Sequence, residues 1–180
     1  NLGIERISDI MQSLRKFSRK DATYRKTANI HQGIDTTLMI LSHRLKANDV
    51  HPKIEIIKDY GELPEIECFP GQLNQVFMNL LANAIDVFED KAKNNECFIP
   101  QIRISTKFIN DNSVEIMIAD NGYGMTEEVR NNLFNAFFTT KPEGKGTGLG
   151  LSISYQIITE THGGTLECFS SEGEGTEFAI

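Results

Sequence analysis

Between Gly71 and Glu89 the chain reads GQLNQVFMNLLANAIDVFE, and no other stretch restricts the possible folds as strongly. On a helix turning about 100° per residue, Val76, Phe77, Leu80, Leu81, Ala84, Val87 and Phe88 share one half of the circumference. Gln72, Gln75, Asn79, Asn83 and Asp86 fall within roughly a quarter of it. The apolar half demands a second layer to cover it. The polar stripe is less ordinary, because a face that is only wet favours Lys and Glu, which disturb a helix less than asparagine does. Short amide and acid side chains suit a face that holds something. A carboxamide oxygen is a hard, neutral donor of the kind Mg²⁺ accepts. On this stretch alone the solvated face and the ligand face stay equally open.

The rest of the chain alternates helical and extended patterns. LGIERISDIMQSLRKFSRK carries Ile7, Ile10, Met11, Leu14 and Phe17 on one side, which fits half of a helical hairpin. KDATYRKTAN reads as a linker or a short strand, and Ile34, Leu38, Leu41 and Leu45 restore helical spacing. KIEIIKDYG reads as a strand, and QIRISTKF and SVEIMIAD as two more joined by a tight INDN turn. TEEVRNNLFN signals a short helix, GLGLSISYQIITETHGG a helix closed by Gly163, and GTLECFSSEGEGTEFAI a terminal hairpin. Intermingled helices and strands predict an α/β or α+β layered sandwich. A net charge of −7 argues against a nucleic-acid surface. Cys68, Cys97 and Cys168 lack metal spacing and read as reduced thiols of a cytoplasmic chain. No apolar run is long enough to span a bilayer, so direct membrane contact is not expected.

Two glycine-rich stretches carry further chemistry. In IADNGYGM a strand delivers Asp120 at its end, where a carboxylate can accept from an exocyclic amine. Gly122 and Gly124 follow and would let a ligand approach the backbone, although a tight turn explains Asn-Gly equally well. In KPEGKGTGLGLSI, Gly144, Gly146, Gly148 and Gly150 lead into a helix whose free N–H groups suit a phosphate. The Walker A spacing is absent, and a long loop stands where the dinucleotide fingerprint needs a strand. Lys141 and Lys145 concentrate positive charge in an acidic chain.

In this order the stretches resemble the catalytic ATP-binding domain of two-component sensor histidine kinases, in the superfamily shared with type II topoisomerases, a heat-shock chaperone and mismatch-repair ATPases. NLLANA looks like the N box, DNGYG the first glycine box, FNAFFTTK the F box and GTGLGL the second glycine box; HGG and GEGTEF match the usual ending. The resemblance covers about Asn29 to Ile180. It implies a Bergerat-type α/β sandwich, a mixed sheet with three helices on one face, binding ATP and Mg²⁺ under a lid from about Thr126 to Thr147. Residue by residue, it implies that Asn83 ligates the metal, with Asn79 and Asp86 on the same stripe. Asp120 would take the adenine amine, with Gly122 and Gly124 allowing its approach. Phe134, Phe137 and Phe138 would anchor the lid hinge, while Thr140, Lys141, Gly146, Thr147, Gly148, Leu149 and Gly150 would reach the phosphates.

ATP hydrolases of that superfamily carry a glutamate where this chain has Asn79, and an amide takes no proton from water at neutral pH. Phosphoryl transfer to a histidine is therefore expected rather than hydrolysis, with Asn79, Asn83 and Lys141 as catalytic residues. His31, His43, His51 and His162 lack the phosphoacceptor context and read as surface or helix-end residues, His162 as a cation at a helix C-terminus. The expected organisation is residues 1–20 as the second helix of a dimerisation hairpin, 21–28 as linker and 29–180 as the ATP-binding domain. Such a fragment would bind ATP without phosphorylating itself. Its parent would be a homodimer signalling to a response-regulator receiver domain, with membrane anchoring of that parent left open. A superfamily ATPase, a serine kinase and a degenerate binding module are the competing readings, the first two disfavoured by Asn79 and the last by Asn83 and the intact glycine boxes.

Overall fold

The computed structural model describes residues 24–94, 98–142 and 146–180, so the hairpin helix expected over residues 1–20 lies outside the described residues. The chain orders as β1 (Lys26–Ala28), α1 (Ile30–Ile40), α2 (Ser42–Leu45), β2 (Glu55–Tyr60), β3 (Ile66–Cys68), α3 (Pro70–Lys93), β4 (Gln101–Asn110) and β5 (Ser113–Asp120). It continues with α4 (Glu127–Asn132), α5 (Gly150–Gln156), a π-helical turn (Ile157–Thr161), β6 (Glu167–Ser171) and β7 (Gly175–Ala179).

Five strands form one sheet in the order β2-β4-β5-β7-β6, and β1 pairs with β3 in a separate antiparallel ribbon. Only β2 and β4 run parallel, so the main sheet is mixed as expected. The β1–β3 ribbon draws Lys26–Ala28, within the expected linker, into regular pairing. β3 has no counterpart in the sequence reading, being three residues long with too little alternation to register.

Alternation along the strands sets the buried face. Ile102, Ile104 and Thr106 of β4, Ile116 and Ile118 of β5 and Phe178 of β7 are buried, while Arg103 and Lys107 are exposed. Helices α1, α3 and α5 provide the covering layer, with α3 between the other two. At 24 residues, α3 is about 36 Å long. Its apolar arc is wider than the sequence reading allowed, because Met78 and Ile85 are buried alongside Val76, Phe77, Leu80, Leu81, Ala84 and Phe88. The polar stripe is thus a narrow, half-buried ridge rather than an open wet face.

One histidine departs from the surface or helix-end role expected of it: His51 is buried, its Nδ1 2.6 Å from Pro52 O and its Nε2 3.1 Å from the Asn48 amide. His162 stands at the expected helix end, where α5 and its π turn stop. Its Nε2 accepts the Phe69 N–H at 3.1 Å, and its Nδ1 lies 2.8 Å from Ile157 O. A ring nitrogen that accepts from a backbone amide carries no proton. The imidazole therefore joins the N-terminus of α3, where Phe69 offers no capping side chain, to the end of the neighbouring helix.

Candidate functional site

Four residues of α3 assemble the site. Asn79 Nδ2 donates to Gly150 O at 2.9 Å and to Ser154 Oγ at 3.0 Å, tying α3 to the first turn of α5. One turn on, Asn83 Oδ1 accepts from Lys141 Nζ at 3.2 Å, and Asp86 Oδ2 accepts from the same ammonium. Val87 then meets the end of β5, since a Cβ built on Gly122 would stand 2.5 Å from Val87 Cγ1. From Asn79 to Val87 the helix rises about 12 Å. The N box, the segment around Lys141, the second glycine stretch and the first therefore border one short length of α3.

Asp120 ends β5 opposite Thr176 of β7 and Ile102 of β4. Its Oδ1 accepts the Gly122 N–H at 2.8 Å. Burial pushes this carboxyl up to about 6, although the Gly122 and Thr176 amides and Lys91 pull the other way. Gly124 sits at φ +70°, where a Cβ would come within 1.8 Å of Ser171 O. Both glycines are thus demanded by backbone and side-chain packing here, beyond any ligand.

The second glycine stretch is pinned at its ends. Phe137 has φ 67° and donates its N–H to Gly148 O at 2.8 Å, while a Cβ on Gly148 would fall 2.3 Å from the Phe137 carbonyl carbon. Phe137 is 75% exposed, so its backbone rather than its ring makes the hinge contact. Phe134 does pack inward, 5.0 Å from the Tyr155 ring, and Phe138 is half-buried. Gly146 leaves room for Thr139 and Lys141, whose atoms a Cβ would meet at 2.5 and 3.1 Å. Thr147 Oγ1 accepts the Leu149 N–H at 3.3 Å, and Leu149 opens α5. Thr140 is exposed beside Lys141. Gly144 and Lys145 lie outside the described residues.

The sequence reading missed Arg44. This residue of α2 donates from Nη2 to Asp86 Oδ1 at 2.6 Å and to Glu89 Oε1 at 2.8 Å. Burial alone would lower its pKa, but the two carboxylates outweigh that and hold the guanidinium above its ordinary value. Asp86 is therefore shared between a fixed Arg44 and Lys141. The only signal in the sequence was a basic residue at the end of a helical pattern, which names no partner.

Residues 69–180 match the signature of the histidine kinase-, DNA gyrase B-, and HSP90-like ATPases. The chain belongs to this ATPase family. Sporulation kinase E of Bacillus subtilis is 34% identical over 98% of the chain and 22% of its own length. The signal transduction histidine-protein kinase AtoS of Escherichia coli is 30% identical over 98% of the chain and 27% of its own length. The chain thus spans about a quarter of these curated relatives. Among solved structures, the nucleotide-free catalytic domain of histidine kinase ThkA superposes with a TM-score of 0.71 at 24% identity, over 87% of this chain and 93% of that one. Full-length ShkA in complex with AMPPNP gives 0.72 at 22% identity, over 99% and 36% respectively. These likenesses establish the α/β sandwich of a histidine kinase catalytic domain, with its mixed sheet and covering helices.

Whether the ridge suits a metal-bound nucleotide is a matter of its donors. Asn83 Oδ1 and the Asp86 carboxylate already converge on one cation, the Lys141 ammonium. Both are hard oxygens, and Mg²⁺ takes one or two such protein ligands while phosphates and water complete its shell. Among the described residues no cluster of three or more His, Cys, Asp or Glu could hold a metal by itself. The ridge therefore fits Mg²⁺ arriving with a polyphosphate rather than alone.

Proposed function

We propose that this domain binds Mg-ATP along the α3 ridge and transfers the γ-phosphoryl group to a histidine outside the described residues, as the catalytic part of a sensor histidine kinase. The observation that carries the reading is the meeting of Asn79, Asn83, Asp86 and Val87 with the two glycine stretches and Lys141 within about 12 Å of helix.

At the adenine end, Asp120 accepts from the exocyclic amine, and Gly122 and Gly124 keep side chains out of the approach. At the phosphate end, Lys141 moves from Asn83 and Asp86 to the phosphate oxygens, and the amides of Gly146, Gly148 and Gly150 donate to them. Thr140, Thr147 and Leu149 line this end, and Phe138 backs it. Asn83 and Asp86 then face the Mg²⁺, which supplies charge neutralisation on the phosphates.

Asn79 separates a kinase from a hydrolase. Both N–H groups of its amide are engaged, on Gly150 O and Ser154 Oγ, so only Oδ1 can meet a ligand. A carboxamide oxygen takes no proton from water, whereas a neutral imidazole attacks with a lone pair already free. Positioning and charge stabilisation then suffice. The parent acts as a cytoplasmic-facing dimer through a helical hairpin and passes the phosphoryl group to a receiver domain. No described helix is long and apolar enough to cross a membrane.

Calorimetric titration with AMPPNP, with and without Mg²⁺, tests binding; a steady-state ATPase assay tests the choice of acceptor. Metal-dependent binding with negligible hydrolysis is expected. Brisk turnover in water, or no heat with nucleotide, would overturn the proposal.

A further inference from the structure

We propose that Arg44 is a positioning residue of the nucleotide site: by neutralising Asp86 it lets Lys141 pass from the α3 ridge to the phosphates. This rests on the reading of the ridge as a nucleotide site and adds a cation that no sequence motif contains.

The charges make the case. Asp86 presents one oxygen to Arg44 and the other to Lys141, while Glu89 accepts from both Nε and Nη2 of Arg44 at 3.1 and 2.8 Å. Among the described residues, these two carboxylates and two cations balance. Arg44 is held through a fork on two acids in a half-buried position and cannot leave without unpairing both. Lys141 ends a flexible four-carbon stem and can leave. When it does, Arg44 alone faces Asp86 and Glu89, and the ridge beside the polyphosphate carries one net negative charge. Without Arg44 it would carry two, at half-buried positions where screening is weak. Removing Arg44 also leaves Lys141 as the only cation on Asp86 among the described residues, so the ammonium is gripped more tightly. Both consequences oppose phosphate binding.

Asp86 is thus a post shared by a permanent and an exchangeable cation. The permanent one keeps the post from capturing the exchangeable one. Arg44 touches no substrate in this account and acts entirely through Asp86.

The test uses ADP in EDTA, so that metal ligation does not enter, with calorimetric Kd as one readout. The second is amide hydrogen exchange across Thr139–Lys141 without nucleotide. Arg44→Gln should weaken ADP about tenfold, and Arg44→Gln/Asp86→Asn should return to within about threefold of wild type, the coupling a shared partner requires. Exchange at Thr139–Lys141 should slow in Arg44→Gln and quicken in Asp86→Asn. A merely structural role for Arg44 predicts faster exchange in Arg44→Gln and no rescue by the second substitution, and either result overturns the proposal. Should Arg44→Gln fail to fold, Arg44→Lys keeps the charge but loses the fork. It should weaken ADP about two- to threefold with rescue by Asp86→Asn, and an unchanged Kd overturns the proposal. If wild-type protein binds no nucleotide, the functional reading above fails. The exchange pattern still decides whether Arg44 governs the Lys141 contact.

Discussion

The two ends of the site are built from different materials. At the Asp120 end, close packing on glycine sets the shape: Gly124 lies against Ser171 O, Gly122 against the Val87 side chain and the Asp120 carboxylate, and β5 is locked between β4 and β7. At the Lys141 end, Asp86 of α3 is shared by Arg44 of α2 and Lys141 of the segment after Phe138, while Glu89 holds Arg44 as well. The first end is set by sterics and has one arrangement. The second is set by charge and can be rearranged by a ligand that offers Lys141 better oxygens. In the proposed function the Asp120 end is then an adenine pocket shaped in advance, and the Lys141 end a phosphate site completed only on binding.

The largest expected effect strikes the steric end. Gly124→Ala must hold a side chain at φ +70° with its Cβ 1.8 Å from a carbonyl oxygen, which no rotamer relieves. Left-handed strain alone costs on the order of 1–3 kcal/mol, and the clash adds to it. A loss of about 3 kcal/mol or more is expected in urea unfolding. A near-neutral result would show that the steric end can move, and the contrast would fail.

At the charged end Asn83→Ala should act on binding rather than stability. It removes one hard oxygen from the Lys141 contact while leaving a half-buried helical position to a good helix former. Metal-dependent AMPPNP affinity should fall about a hundredfold, or about 2.7 kcal/mol, with little change in the unfolding midpoint. Equal losses with and without Mg²⁺ would remove Asn83 from the metal's surroundings.

The same division explains what the sequence could disclose. Asn79, Asn83 and Asp86 were legible because a helix places them by arithmetic and because asparagine is a poor choice for a merely wet face. The long strands and the terminal hairpin were legible from alternation, whereas the mixed sheet came only from the family resemblance. Arg44 was not, because its partners lie more than forty residues away on another helix, and charge pairing across elements leaves no local period. Met78 and Ile85 were left off the apolar arc, yet a helix flanked by α1 and α5 and backed by the sheet buries more than half of itself. His162 was read from its position at a helix end. The Phe69 amide that bonds its Nε2 is brought to it only by the fold.

Asp120 tests the steric end through pH. Its carboxyl titrates near 3.8 when free and at about 6 in the folded protein. Between those values the folded state holds the extra proton, so stability falls as pH rises through the window, and the cost is complete above about 6. Asp120→Asn abolishes that cost while keeping an oxygen for the Gly122 N–H. At pH 7 it should unfold about 2 kcal/mol later, and the pH 4–6 slope of stability should flatten. In the proposed role Asp120 accepts the adenine amine as an ionised carboxylate, so wild-type nucleotide affinity should weaken below about pH 6, and Asp120→Asn should lose affinity at pH 7. Stability and affinity moving together would contradict the role assigned to this residue.

The smallest effect lies at the junction of the two ends' materials. Ser154 is fully buried, its Oγ donating to Gly150 O at 2.8 Å and accepting from Asn79 Nδ2 at 3.0 Å. Ser154→Ala deletes both bonds. Gly150 O keeps the Asn79 donor, so neither the carbonyl nor the amide is left wholly unpaired, and the expected loss is about 1 kcal/mol. If α5 is held to α3 chiefly by the packed Ile157 and Ile158 of the π-helical turn that continues it, nucleotide affinity should change less than about threefold. That figure corresponds to about 0.7 kcal/mol. A larger drop in affinity than in stability would mean that the amide's orientation is set by Ser154. Asn79 would then be tuned from behind, and the charged end would depend on a neutral hydrogen bond as much as on its ions.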